Sequence, residues 1–171
     1  MLQDPLTLYK LIVLYMLNRV TFPLTNAQIS NFILEREYTN FMTLQQAISE
    51  LTDAGMILPQ TMGNRTHLTI TREGTQTLNY FGSRIGESIR QDIDSYFREN
   101  ELTLRNEVSV QGNYYKSTSG EYEAHLVAKE KGISLVDIKL SVPTEDVAAV
   151  ICDNWQQKNE KVYQYLIQEL F

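Results

Sequence analysis

The chain has 171 residues, 43% of them apolar, which is enough to build a real core in one large domain or two small ones. Its longest apolar run, Leu11 to Leu17, falls far short of the roughly 20 residues of a membrane span, and the opening Met-Leu-Gln-Asp-Pro lacks the basic stretch of a signal peptide, so a cytoplasmic protein with no membrane partner is expected. A net charge of -6 argues against a protein that coats nucleic acid non-specifically, and a single cysteine, Cys152, excludes an internal disulfide.

Asp4 as cap and Pro5 at the first helical position announce a helix to about Arg19, with Leu8, Leu11, Ile12, Tyr15 and Met16 as its buried stripe. After the extended break Phe22-Pro23-Leu24, Thr25 to Gln28 has the form of a capping box, and Ile29, Phe32 and Ile33 give a short second helix its inner face. A break at Tyr38-Thr39-Asn40 leads into a third helix. Its inner face is Leu44, Ala47, Ile48 and Leu51, and Gly55 supplies the left-handed residue that stops it. Met42, Thr43, Gln45, Gln46, Ser49 and Glu50 fall on the opposite face. Two short strands follow, about Met56 to Thr61 and Thr66 to Ile70, and Met62-Gly63-Asn64-Arg65 between them suits a tight hairpin.

From about Arg72 to Asn100, Leu78, Phe81, Ile85, Ile89, Ile93 and Phe97 recur every three or four residues. That spacing predicts one helix of roughly 40 Å, with a bend at Gly82-Ser83 left open. Its second half needs cover, from the C-terminal part or from a second subunit. Beyond Asn100 the period changes from 3.6 to 2: Val108 and Val110, then Tyr122, Ala124, Leu126 and Ala128, then Val136, Ile138, Leu140 and Val142. The turns, Lys116 to Gly120 and Glu130 to Gly132, are short, so these strands are antiparallel. Pro143-Thr144 starts a last helix with the stripe Val147, Ile151, Trp155, Val162, Leu166 and Leu170, expected to cover the sheet. The expected class is α+β, divided into residues 1–72, a long linking and dimerisation helix over 73–100, and a small sheet-and-helix domain over 101–171.

Three helices followed at once by a hairpin is the order of the winged helix-turn-helix, whose third helix enters the DNA major groove. Residues 1–72 carry five acids and five bases, so the whole negative charge lies in the remainder. Thr43, Leu44, Ala47, Ile48, Leu51, Gly55, Met56 and Ile57, followed by Ile70, Thr71, Gly74 and Leu78, resemble the pattern of PadR-like winged-helix transcriptional regulators, with Gln45 where those regulators often have Tyr. The whole chain, including TLRNEVSV and LSVPTEDVAAVICDNW, is similar to a bacterial family of unknown function that joins a winged helix to a small α/β domain.

Together these imply a sequence-specific regulator that binds double-stranded DNA as a homodimer. The expected DNA contacts are Asn40, Thr43, Gln45, Gln46 and Ser49, with Asn64, Arg65 and His67 from the hairpin and Arg36 and Arg72 flanking. Phe81, Ile85, Ile89, Ile93 and Phe97 are expected at the dimer interface. The alternative is a winged-helix protein-interaction module, since the third helix carries no Lys or Arg. His67, His125 and Cys152 form no zinc ligand set or nucleophile-base pair, so neither an enzyme nor a metal or cofactor is expected. Asp92, Asp94 and Glu99 read as a solvated helix face, and His125 as facing water. Trp155, Tyr114, Tyr115 and Tyr122 read as packing before an effector pocket, which leaves a small-molecule effector without support.

Overall fold

Asp4 and Pro5 start the first helix as their chemistry requires: the Asp4 carboxylate accepts from the Leu6 amide, and Pro5 holds the first turn of α1 (Pro5–Arg19). The computed structural model describes residues 4–62, 65–130 and 133–171. Within them the protein is α+β, with six α-helices and two three-stranded antiparallel sheets. The chain divides into two units, Met1–Arg105 and Asn106–Phe171.

In the first unit α1 is buried on nearly every side, through Leu11, Ile12, Val13, Leu14, Met16 and Leu17. The expected stripe was narrower. A continuous apolar run has no wet face, so α1 becomes the central helix, packed by α3 (Phe41–Asp53), α4 (Arg72–Phe81) and β3 (Arg65–Ile70). The capping box forms ahead of α2 (Asn26–Glu35): the Thr25 amide donates to Gln28 Oε1 at 2.9 Å and the Gln28 amide to Thr25 Oγ1 at 3.0 Å. The short strand β1 (Leu24–Thr25) pairs with β3, which also pairs with β2 (Ile57–Met62), giving the order β1-β3-β2. Gly63 and Asn64 of the expected turn lie outside the described residues.

Helices α2 and α3 stop in the same way. Tyr38 donates back to the Ile33 carbonyl and Glu37 to Leu34, and likewise Met56 to Leu51 and Gly55 to Thr52, each pair closing over one left-handed residue. For α3 that residue is Gly55, with φ 72°, as expected. For α2 it is Glu37, with φ 56°, a conformation that disfavours any side chain with a Cβ.

The single helix expected over 72–100 is two. α4 ends at Phe81, Gly82–Arg84 forms a 3₁₀ turn, Ile85 is extended, and α5 (Glu87–Ser109) begins beyond it. The break lets Leu78, Ile85, Ile93 and Phe97 all reach one core, which a straight rod could not do. Arg90 Nη2 donates to the Gly82 carbonyl at 2.7 Å and pins the bend. Residues 73–100 therefore belong to the core of the first unit. The change of period also comes later than expected: Leu104 and Val108 continue the spacing of Ile93 and Phe97, α5 runs to Ser109, and Val108 is helical.

In the second unit β4 (Val110–Lys116), β5 (Tyr122–Glu130) and β6 (Ile133–Val142) form an antiparallel meander in that order. Lys131 and Gly132 of the second expected turn lie outside the described residues. α6 (Glu145–Leu170), capped by Thr144, covers one face of the sheet. Its buried line is Ala148, Cys152 and Trp155, whereas Val147 and Leu170 of the expected stripe are exposed. The indole of Trp155 donates to the Val127 carbonyl at 3.1 Å, and α6 comes so close to β4 that a Cβ on Gly112 would lie 3.1 Å from the Cys152 backbone.

A second glycine is fixed by contact. A Cβ on Gly74, near the start of α4, would lie 2.2 Å from the Met56 carbonyl oxygen, which already accepts from the Thr71 amide. Gly74→Ala is therefore expected to cost about 2 kcal/mol or more by urea denaturation, while Glu37→Gly, which relieves a left-handed side chain, is expected to stabilise by up to about 1 kcal/mol. Equal midpoints for the two variants would contradict this account of the stops.

Candidate nucleic-acid interface

α3 is held from three directions. Asn40 caps it, accepting from the Thr43 amide at 2.8 Å; Leu44, Ala47, Ile48 and Leu51 enter the core; and Lys10 of α1 pairs with Glu50 at 3.4 Å. The opposite face is open. Met42 is 78% exposed, Phe41 is 55% exposed, and Gln46 and Ser49 also face solvent, while Thr43 is half-buried. Met42, Gln46 and Ser49 recur at four and three residues, so they form one line along the helix.

The expected contacts do not all share that line. Gln45 is half-buried and occupied: its amide nitrogen donates to Asn26 Oδ1 at 3.0 Å and Ser30 Oγ at 3.3 Å, and Asn26 Nδ2 donates back to Gln45 Oε1 at 2.9 Å. Gln45 therefore ties α3 to α2, and the two glutamines play different parts. Asn40 spends its carbonyl oxygen as the cap. Arg65, at the start of β3, is exposed, and Asn64 lies outside the described residues. His67, expected at the hairpin surface, is 3% exposed, because β3 is the central strand and Thr25 and Gln60 flank it.

Of the flanking cations, Arg36 is engaged by its own core. Its guanidinium lies 4.1 Å from the Phe32 ring centroid and 5.5 Å from that of Tyr96. Arg72 is exposed in the first turn of α4. The expected dimer set is largely consumed as well: Ile85, Ile93 and Phe97 are buried in the first unit and Ile89 packs against them, so the cover they need comes from their own unit. Phe81 remains, 42% exposed, beside an exposed Tyr80.

Asp92 and Asp94 are not a solvated face. The Tyr15 hydroxyl donates to Asp94 Oδ1 at 2.8 Å, Arg19 Nε approaches the same oxygen at 2.9 Å, and the Tyr38 hydroxyl donates to Asp92 Oδ2 at 2.6 Å. Among the described residues no group of three or more His, Cys, Asp or Glu could hold a metal ion. In the second unit His125 Nε2 lies 2.6 Å from Asp137 Oδ1 on the sheet face away from α6, and burial pushes the Cys152 thiol up.

The sequence reading missed Asn26 and Ser30, whose hydrogen bonds hold Gln45, and Phe41. The signal for Phe41 was Asn40, a cap residue three before Thr43, which moves the start of α3 back to position 41.

Compared with known protein families, residues 9–170 match one described as a domain of unknown function (DUF4364). The chain belongs to this family. No curated protein and no solved structure matches it. The match spans both units. No helix among the described residues is long and apolar enough to cross a membrane.

Burial and the hydrogen bond to Asp92 raise the Tyr38 phenol to about 12. The native state thus holds this proton more tightly than the unfolded chain, whose tyrosines titrate near 10. Its contribution to stability is whole below pH 10 and is lost as pH rises toward 12. Absorbance titration of the ten tyrosines should show a late component near pH 12 that Tyr38→Phe removes. An unchanged late component in that variant would contradict the contact.

Proposed function

We propose that the first unit is a winged helix-turn-helix resembling that of PadR-like regulators, and that the protein is a sequence-specific DNA-binding transcriptional regulator acting as a homodimer. α3 would lie in the major groove, with Arg65 of the hairpin on the phosphate backbone. One observation carries this proposal: α3 buries its inner face completely yet leaves Met42, Gln46 and Ser49 in solvent, directly before a hairpin whose central strand also pairs with a short strand ahead of α2. That order of elements supports a groove-reading head. No cofactor and no catalytic step is part of the proposal.

A second reading has its own observation. α3 carries no cation and its tip bears two exposed apolar side chains, Phe41 and Met42, which suits a protein-interaction module.

Retention of genomic fragments at low and moderate salt separates the two. The regulator should retain a distinct subset of fragments. Gln46→Ala should lose that preference, and Arg65→Ala should weaken binding across all sequences and reduce the salt slope by about one. No retention above background at either salt would favour the interaction module. Light scattering at micromolar concentration should give a dimer, and a monomer would remove the homodimer from the proposal.

A further inference from the structure

We infer that α3 selects A·T base pairs, with Gln46 on adenine and Met42 on the C5-methyl group of a thymine; the inference rests on the DNA-binding proposal above. The exposed line of α3 begins with an apolar side chain and continues, one turn later, with a free amide. In the major groove an amide pairs with adenine N6 and N7, and the apolar feature on offer is the thymine methyl. Residues one turn apart stand about 5 to 6 Å from each other, so they reach neighbouring base pairs. The Met42 thioether, unbranched and mobile, can settle against a methyl whose position shifts with local twist.

The rest of the helix narrows the choice. The commonest contact to guanine is Arg or Lys, and α3 has neither. Gln45, the other amide, is closed off by its reciprocal pairing with Asn26. Asp53, exposed in the last turn, would be repelled by phosphate, which favours leading into the groove with the end that carries Phe41, Met42 and Gln46.

The test selects duplexes from a random library with the full-length protein, then remakes the enriched duplex with uracil for thymine. An A·U pair keeps every hydrogen bond of A·T and lacks only the methyl. Binding should weaken about fourfold for each contacted methyl removed. Met42→Ala, a change at an exposed position that leaves the core intact, should bind the thymine and uracil duplexes alike, and Gln46→Ala should lose the adenine preference at the adjacent position. Equal binding of the two duplexes by the unaltered protein, or enrichment of G·C at the contacted steps, would overturn this inference while leaving DNA binding in place. Failure to enrich any duplex would overturn the DNA-binding proposal and this inference with it.

Discussion

The burial of α1 is the constraint on which the first unit depends. The run from Leu11 to Leu17 has no polar residue except the Tyr15 hydroxyl, so no side of that helix can face water without exposing several large apolar side chains. Each such side chain left in water costs about 1.5 to 3 kcal/mol, and several together outweigh any single hydrogen bond in the unit. The other elements must therefore wrap it. α3 lends Leu44, Ile48 and Leu51 to this task and keeps one outward face, while α4 and α5 are forced to bend at Gly82–Arg84 to reach the same core.

Polar contacts then choose among the ways of wrapping. Tyr15 and Arg19 meet Asp94, Tyr38 meets Asp92, and the Gln28 side chain donates through Nε2 to the Leu104 carbonyl, so α5 is fixed in both rotation and height against α1 and α2. A hydrogen bond to a carboxylate, as at Asp92 and Asp94, is worth about 1.5 to 3 kcal/mol and a neutral one about 1 kcal/mol, comparable to burying one apolar side chain and well below the whole core, so these contacts select a register that apolar packing has already made favourable. The Gln45–Asn26 pair does the same between α3 and α2 and, in doing so, removes one amide from the outer face.

Much of the fold was legible because periodicity and caps report burial directly. The capping box at Thr25–Gln28, the left-handed Gly55, the inner face of α3 and the three-stranded meander all stand where their residues indicate. The break after Phe81 was less legible, since Phe81 and Ile85 sit at helical spacing on either side of a turn that only the shape of the core requires. Leu104 and Val108 kept the helical period under a run of polar residues, and the strands beyond them masked it. Side-chain partners were least legible. Nothing in the spacing of Asp92 and Asp94 points to two tyrosines more than fifty residues away in the chain, and the burial of His67 depends on β1 pairing with β3. The positions from which a PadR-like pattern is read in the sequence are structural ones: Leu44, Ala47, Ile48, Leu51 and Leu78 are core, and Gly55 and Gly74 are a left-handed stop and a close approach. They specify how α3 is held and leave open what it touches.

The central claim is that the line through Met42 and Gln46 stands in solvent because the core has taken the other side of α3. Thiol labelling of Gln46→Cys in the native protein tests it most directly, with the buried Cys152 as the internal reference. The introduced thiol should react at close to the rate of an unfolded peptide while Cys152 reacts far more slowly. Reaction of both thiols at the same slow rate would show that the outer face of α3 is covered, and would contradict the account.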